Sequence, residues 1–202
     1  YGEALLCWAE TFGISGLGID RDEQHIARAK EILATTAYAD RVEYVCADAM
    51  RYPFQPGFYH LAACASASNM FGPPESMFRN AIRHLRQTIL LDGYLLIVEP
   101  YYNATSVPQE LVGYEGKLPT EVELTRVVRD EGFEIVCLLH SDVTDWDRYI
   151  SSNLAHAVRW LRENHGHADW RKRLESHHRF QDMYVQHRKR YQEVVALLMT
   201  RI

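Results

Sequence analysis

Apolar and polar positions along the chain alternate with two periods, one typical of amphipathic helices and one of short buried strands. Residues 3–12 place Leu5, Trp8 and Phe12 on one helical face, and Gly13 is positioned to end that helix. The last apolar run of the chain suits either a strand or an extension of the helix before it. Six runs predict strands, at 16–20, 42–46, 59–65, 94–98, 133–140 and 192–200. Strands that alternate with helices indicate an α/β fold built on a parallel sheet.

Two of the helical stripes are preceded by residues that can cap a helix. Asp22 stands directly before residues 23–37, where its carboxylate can accept hydrogen bonds from the first free N–H groups. Thr120 opens residues 120–131, and Glu123 follows at the spacing of a capping box. These signals predict where both helices begin.

Longer polar stretches lie between the later strands. Residues 74–91 are predicted to be a helix that ends in a turn at Asp92-Gly93, and 101–119 a loop. Residues 146–190 predict two or three polar helices with a break near Gly166. Because this last stretch lies between two predicted strands, we interpret it as a helical cap inserted into one domain. The predicted parts are a core at 1–144, the cap at 145–190 and a final core strand at 191–202.

Of the properties of the composition, only the distribution of charge changes the predicted organisation. The chain has 202 residues, of which 47% are hydrophobic and 24% charged, and this suits one globular domain. Its net charge of −5 argues against a dedicated nucleic-acid binder. The charge is uneven, however, at −10 over residues 1–150 and +5 over 151–191. Basic clusters at 171–173 and 188–190 therefore leave contact with RNA or an acidic partner as a minor alternative.

Cysteines, apolar runs and histidines exclude several kinds of site. No two cysteines have C-x-x-C spacing, so each is expected to be a buried thiol in a reducing cytoplasm. No apolar run approaches the ~20 residues that span a bilayer, so no membrane partner is predicted. The histidines of 165–187 share no helical face with a carboxylate, so no metal site is predicted.

Carboxylates stand at three of the first four strand ends, where an open parallel sheet binds its ligands. Asp20 is placed to accept both hydroxyls of a ribose, and the alternative is that it only caps the next helix. Asp48 can accept a hydrogen bond from an adenine amino group, and the alternative is a turn-forming Asp. Glu99 ends the fourth strand. The third strand ends in Cys64, Ala65 and Ser66.

Five segments occur in a characteristic order, namely GEALLCWA, GLGID, VEYVCADA, YHLAACASA and GYLLIVEP. This succession resembles the class I S-adenosylmethionine (SAM)-dependent methyltransferases over about residues 1–140. The resemblance is nearest to small bacterial members with a methyltransferase type 11-like domain. Those proteins carry EPYY-like and WDRY-like segments, which are found here at 99–102 and 146–149.

The resemblance implies a Rossmann-like, mostly parallel, seven-stranded sheet with helices on both faces. It implies that Tyr1-Gly2 is the tail of a glycine-rich loop whose preceding strand is absent from this sequence, so we expect upstream residues in the natural protein. The implied cofactor is SAM, and the implied reaction is methyl transfer to a small-molecule acceptor. The implied cofactor contacts are Gly2, Asp20, Arg21, Asp48, Ala49, Cys64, Ala65 and Ser66.

Candidate acceptor residues follow the third and fourth strands. Glu99 is a candidate base, or a ligand for a cationic substrate, with an anion paired to an arginine as the equal alternative. Tyr101 and Tyr102 can shape the acceptor pocket or serve as loop packing. Asn69 can line the same pocket.

The predicted cap contributes two aromatic candidates. Trp146 is interpreted first as an anchor that holds the cap to the sheet, because tryptophan contributes a large buried area. Its alternative role is to cover the substrate. Tyr149, three residues later, is a candidate cover for the substrate.

Two other functions compete with methyl transfer. A ribose-binding Asp20 is compatible with an NAD-dependent oxidoreductase, but Asp48-Ala49 and the apparent antiparallel end of the sheet argue against one. Gly13, Gly16 and Gly18 precede a strand, whereas a dinucleotide-binding loop follows one. A non-catalytic ligand sensor or scaffold is the second alternative, favoured if the natural chain begins at Tyr1.

Overall fold

The structure is a computed structural model that describes residues 2–202 and divides them into two units, residues 2–55 and residues 56–202. Each unit has its own sheet and its own buried apolar cluster. Tyr1, half of the predicted loop tail, lies outside the described residues. No helix in the described part of the chain is long and apolar enough to span a membrane.

Residues 2–55 form a two-stranded parallel sheet with two helices. Gly13 ends the first helix at φ 65°, and its N–H donates to the carbonyl of Ala9 at 2.9 Å. The carboxylate of Asp22 accepts from the N–H groups of Gln24 and His25 at 2.8 and 3.1 Å and so begins the second helix. Both predictions are confirmed. The elements are α1 (Glu3–Phe12), β1 (Gly16–Asp20), α2 (Glu23–Leu33) and β2 (Val42–Cys46).

The glycines of β1 are explained by close packing. A Cβ at Gly18 would lie 2.7 Å from the ring of Tyr44, and one at Gly16 would lie 2.6 Å from the side chain of Leu5. Because β1 approaches its neighbours this closely, only glycine fits at these two positions without a shift. The glycines therefore serve packing within this unit, in agreement with the argument against a dinucleotide-binding loop.

Residues 56–202 form a four-stranded mixed sheet in the order β3-β4-β6-β5. β3 and β4 are parallel, whereas β6 runs antiparallel to both β4 and β5. The strands are β3 (Tyr59–Ala65), β4 (Ile89–Tyr102), β5 (Phe133–His140) and β6 (Gln192–Arg201). The helices are α3 (Met77–Leu85), α4 (Gln109–Glu115), α5 (Glu121–Asp130), α6 (Val143–Glu163), α7 (Trp170–Met183) and α8 (Lys189–Tyr191).

The prediction of one mostly parallel, seven-stranded sheet is wrong for this chain. The described residues contain six strands in two sheets, and two of the three pairings in the larger sheet are antiparallel. The antiparallel character arises because β6 enters between β4 and β5 and runs against both. The α/β class itself is confirmed.

Several element boundaries differ from those predicted, and α2 ends at Leu33 rather than near residue 37. The predicted helix over 74–91 is shorter, because Ile89 already pairs with Tyr59 in the sheet. The predicted turn at Asp92-Gly93 lies inside β4, where the register with β3 shifts and produces an irregularity. α4 occupies part of the stretch predicted to be a loop. The final apolar run is a strand, and α6 and α7 lie between β5 and β6 along the chain.

Helices α3 and α5 share a buried cluster with one face of the four-stranded sheet. Ile82 of α3 and Val128 of α5 are fully buried in this cluster, together with Leu95 and Ile97 of β4. Side chains alternate between the two faces of a strand. Glu99, two residues beyond Ile97, is therefore carried to the same buried side.

Candidate functional site

Two predicted site residues lie at one edge of the sheet in residues 2–55. β1 and β2 are parallel, and Asp20 is paired in register with Cys46. The N–H of Ala47 donates to the carbonyl of Asp20 at 2.9 Å, which holds the two strand ends together beyond the sheet. Asp48 follows one residue later. The carboxyl ends of both strands therefore present a carboxylate at the same edge.

Asp20 does not cap the helix that follows it. The cap of α2 is Asp22, and Asp20 instead accepts a hydrogen bond from the N–H of Asp22 at 2.9 Å. Its second oxygen lies 3.4 Å from Nδ1 of His25, and its side chain is 46% exposed. Arg21 is also exposed, and its carbonyl accepts a weak hydrogen bond from the thiol of Cys46. The Asp20 carboxylate is thus held in place at the sheet edge while remaining accessible.

Asp48 forms the turn that was considered as its alternative role. One carboxylate oxygen accepts from the N–H of Met50 at 2.9 Å, and the other lies 3.6 Å from Nε of Arg51. Its side chain is nevertheless 51% exposed, so the turn leaves the carboxylate accessible. Ala49 lies within this turn and is half-buried.

Gly2 directly precedes α1 and has a left-handed backbone conformation that residues with a side chain rarely adopt. Its φ is 78°, and an added Cβ would lie 2.5 Å from the ring of Tyr44. The hydroxyl of Tyr44 donates to the carbonyl of Gly2 at 2.6 Å, which ties the start of α1 to β2. The backbone therefore carries no side chain at the residue that precedes this helix.

The end of β3 combines a buried thiol with an unusual backbone. Ser66 has φ 50°, which is uncommon for residues other than glycine, and its N–H donates to the carbonyl of Val98 at 2.7 Å. Cys64 is buried, and this burial raises the pKa of its thiol. Ala65 and Asn69 are exposed. The expectation that all cysteines are buried is wrong for the three that the structure exposes, which are Cys7, Cys46 and Cys137.

Glu99 is a buried acid and not the arginine-paired anion considered as its alternative. It is only 3% exposed, and no arginine forms an ion pair with it among the described residues. The hydroxyl and the N–H of Ser68 both hydrogen bond to its carboxyl group. Oε1 has no partner in residues 2–202. Burial raises the pKa of Glu99, and the hydrogen bonds from Ser68 oppose that rise only in part.

Tyr101 and Tyr102 are buried strand residues whose hydroxyls are already engaged. Tyr101 donates to Oε2 of Glu193 at 2.5 Å, and Tyr102 donates to the carbonyl of Gly116 at 2.7 Å. The prediction that they lie in a loop after the strand is wrong, because β4 extends through both. Burial and the neighbouring Glu193 carboxylate raise the pKa of Tyr101.

The two aromatic residues at the start of α6 differ in exposure. Trp146 is buried and clusters with Ile150 and Tyr184, although its Nε1 has no partner within the described residues. Tyr149 contacts Trp146 edge to face at 5.9 Å between ring centroids and is 58% exposed. Trp146 therefore has the position of an anchor, and Tyr149 has that of an accessible side chain.

Two functional candidates were not found from the sequence. Ser68 is buried against Glu99, and Glu193 accepts hydrogen bonds from Tyr101 and Asn103. Neither residue lies in a recognisable sequence motif. An acid at the start of an otherwise apolar strand was the only available signal for Glu193. The contact of Ser68 with Glu99 could not be predicted, because it arises only when the fold brings the turn after β3 against β4.

No group of histidine, cysteine and acidic residues in the described part of the chain is arranged to hold a metal ion. Several histidines of the cap instead contact aromatic rings, as His165 does with Trp170, or single acids, as His187 does with Glu110.

Comparison with known proteins gives consistent matches. The model of a methyltransferase domain matches residues 1–88. The uncharacterized protein YjhP of Escherichia coli strain K12 is 30% identical over 168 residues, which cover 81% of this chain. The chain spans 66% of the length of that relative. The crystal structure of YjhP superposes with a TM-score of 0.88 at 25% identity, covering all of this chain and 82% of that one.

Two further solved structures are SAM-dependent methyltransferases in complex with S-adenosylhomocysteine. The one from Thiobacillus denitrificans has a TM-score of 0.89 at 22% identity, and the one from Geobacter sulfurreducens has 0.88 at 24%. Each match covers all of this chain and 81% of the other. At this identity they establish the fold, and the domain model and YjhP add the sequence relationship. Residues 1–88 therefore match a methyltransferase domain, and the chain has the fold of the SAM-dependent methyltransferases.

Proposed function

We propose that this protein transfers a methyl group from SAM to a small-molecule acceptor. The observation that carries the proposal is the pair of accessible carboxylates, Asp20 and Asp48, at one edge of the β1–β2 sheet. A ribose diol and an adenine amino group both donate hydrogen bonds, and carboxylate oxygens accept them. The residues present therefore fit an adenosyl group by their chemistry.

Each of these residues has a distinct role in the proposal. Asp20 accepts the ribose hydroxyls, and Asp48 accepts from the adenine amine. Gly2 lets the backbone at the start of α1 approach the ligand, since no side chain fits there. Arg21 and Ala49 flank the two acids along the chain and are proposed as further contacts of the same unit with the cofactor.

On the acceptor side, we propose Glu99 as the group that receives a proton from the acceptor. Bound SAM supplies an activated methyl group on a sulfonium. Oε1 of Glu99 has no partner in residues 2–202, and a raised pKa makes a carboxylate a stronger base. Asn69 and Tyr149 are the accessible candidates for binding the acceptor, because Tyr101 and Tyr102 already use their hydroxyls within the fold.

We further propose that the enzyme is bacterial and works in a reducing cytoplasm. The relatives named above come from bacteria. The exposed cysteines Cys7, Cys46 and Cys137 are free thiols, and such residues suit a reducing compartment.

Calorimetric titration with SAM, S-adenosylhomocysteine and NAD tests the cofactor assignment. Asp20→Ala is expected to weaken SAM binding by about 2–3 kcal/mol, because hydrogen bonds to a charged group are lost. Asp40→Ala, which removes an exposed acid of the same unit, is the matched control and should bind normally. An unchanged affinity in Asp20→Ala would refute the ribose assignment. Tight NAD binding without SAM binding would instead support an oxidoreductase, and binding of SAM without turnover on any acceptor would support a sensor or scaffold.

A further inference from the structure

Helices α4, α6 and α7 border a cleft of about 310 Å³, and of its lining residues only Tyr149 has a role above. Aromatic side chains from all three helices line it, and they are Tyr114, Tyr149, Trp160 and Phe180. No lining residue is acidic, in a chain whose net charge is −5. The cleft therefore suits a ligand that is apolar over much of its surface and does not require a carboxylate partner.

The cleft also holds a cation whose charge is not neutralised. The guanidinium of Arg173 lies 4.1 Å from the centroid of the Trp160 ring, and it forms no ion pair within residues 2–202. Arg188, in contrast, is paired with Glu115 at 3.0 Å. Stacking on an indole fixes the plane of a guanidinium and leaves its N–H groups free to bind an anion.

A second polar group in the wall of the cleft lacks a partner. Nδ1 of His177 is buried and has no hydrogen-bond partner in the described part of the chain. Buried polar atoms are nearly always hydrogen bonded in native proteins, so one without a partner calls for an explanation. A ligand with a polar group provides one.

We propose that this cleft binds a planar aromatic carboxylate. The ring of the ligand packs among the four aromatic side chains, and its carboxylate pairs with Arg173, whose fork of N–H groups matches two carboxylate oxygens. The volume is at the lower end of the range for small-molecule sites, which suits one ring or two fused rings. Binding requires no methyl transfer, so this inference is independent of the proposed function.

Calorimetry with 2-naphthoate and with the neutral alcohol 2-naphthylmethanol tests the charge recognition. We expect saturable binding of 2-naphthoate and weaker binding of the alcohol. Arg173→Gln should weaken the binding of 2-naphthoate by about tenfold, the value of one charge-assisted contact. The affinity for the alcohol should be unchanged. Arg171→Gln removes a neighbouring exposed charge outside the cleft and should bind both compounds normally. Absence of 2-naphthoate binding, or equal losses in the two arginine variants, would overturn the proposal.

A steric variant tests the location independently of charge. Ala157 lines the cleft, and Ala157→Leu adds volume inside it while retaining a good helix former. This variant should bind both compounds more weakly. Far-ultraviolet circular dichroism should show that its helices are retained. Unchanged binding in a folded Ala157→Leu protein would place the ligand elsewhere and refute the cleft as its site.

Discussion

At the residue scale, two glutamates of the larger unit show how neighbours decide the state of an acid. Glu131 is buried between Arg79 and Arg83, at 2.6 and 2.9 Å, and these partners lower its pKa. Glu99 is also buried, but its neighbour is the neutral Ser68, so loss of hydration dominates and raises its pKa. The first acid is structural, and the second is the one that we propose accepts a proton.

Replacement of Glu99 by glutamine tests its place in the chemistry. Glutamine keeps the size and the hydrogen bonding of the side chain but accepts no proton at neutral pH. We expect Glu99→Gln to bind S-adenosylhomocysteine normally and to turn over about 100-fold more slowly, the usual contribution of a general base. The measurements are calorimetric affinity and methyl transfer from labelled SAM. Full activity would remove Glu99 from the chemistry.

The same substitution has a predicted effect on stability against pH. Because the pKa of Glu99 is raised in the folded state, the folded protein keeps this proton at pH values where the unfolded chain has lost it. The contribution is complete below the unfolded pKa and is lost as pH rises through the folded pKa. The unfolding temperature of Glu99→Gln should therefore fall less than that of wild type as pH rises above the ordinary pKa of a glutamate.

Glu134→Gln is the matched control for this pH series, since Glu134 is exposed on β5. It should follow the wild-type dependence of the unfolding temperature on pH. Identical curves for Glu99→Gln and wild type would show that Glu99 does not titrate differently in the folded and unfolded states.

At the element scale, local signals determine where helices begin and end, whereas close tertiary contacts determine where a strand requires glycine. Asp22 caps α2, and Thr120 with Glu123 forms the capping box of α5. Gly18 has no such local role. Its requirement comes from the ring of Tyr44, which is 26 residues away in the chain.

Gly18→Ala should destabilise the unit formed by residues 2–55. The added Cβ would lie 2.7 Å from the ring of Tyr44, and overpacking of this kind costs about 1–3 kcal/mol. Gly113→Ala is the matched control, because nothing lies within 4 Å of its added Cβ and alanine favours the helix. Denaturant unfolding measures both changes. Equal stability of the Gly18→Ala and wild-type proteins would show that β1 can move away from the ring.

The positions of helices and strands could largely be predicted, but their ends could not. The apolar run that begins at Ile89 looks like the continuation of a helix in the sequence. It becomes a strand because Ile89 pairs with Tyr59, a contact across 30 residues. Likewise, the turn residues Asp92-Gly93 produce an irregularity within β4. Pairing with a distant strand decides between these outcomes, and the local sequence carries no information about that partner.

At the scale of the whole molecule, the chain is divided into a unit that carries the proposed adenosyl contacts and a unit that carries the buried acid and the aromatic cleft. A ligand that binds only the folded state stabilises the part of the protein it contacts. The division therefore makes it possible to assign each ligand to a unit by measuring local protection.

Hydrogen exchange with saturating S-adenosylhomocysteine should show where the adenosyl group binds. We expect slower amide exchange in peptides that cover residues 16–22 and 46–50, because both strand ends become ordered around the ligand. Asp20→Ala should abolish this protection at the same ligand concentration. Protection confined to 143–191 would place the adenosyl group in the cap helices and contradict the assignment.

The order of strands and helices, their caps and the two acids at the ends of β1 and β2 follow from the sequence, because each depends on residues close together in the chain. The tertiary structure decided the rest. It placed β6 between β4 and β5, buried Glu99 beside Ser68, drew Tyr101 and Tyr102 into the sheet and stacked Arg173 on Trp160. These outcomes depend on contacts between distant segments, and burial and charge pairing are properties of such contacts rather than of local pattern.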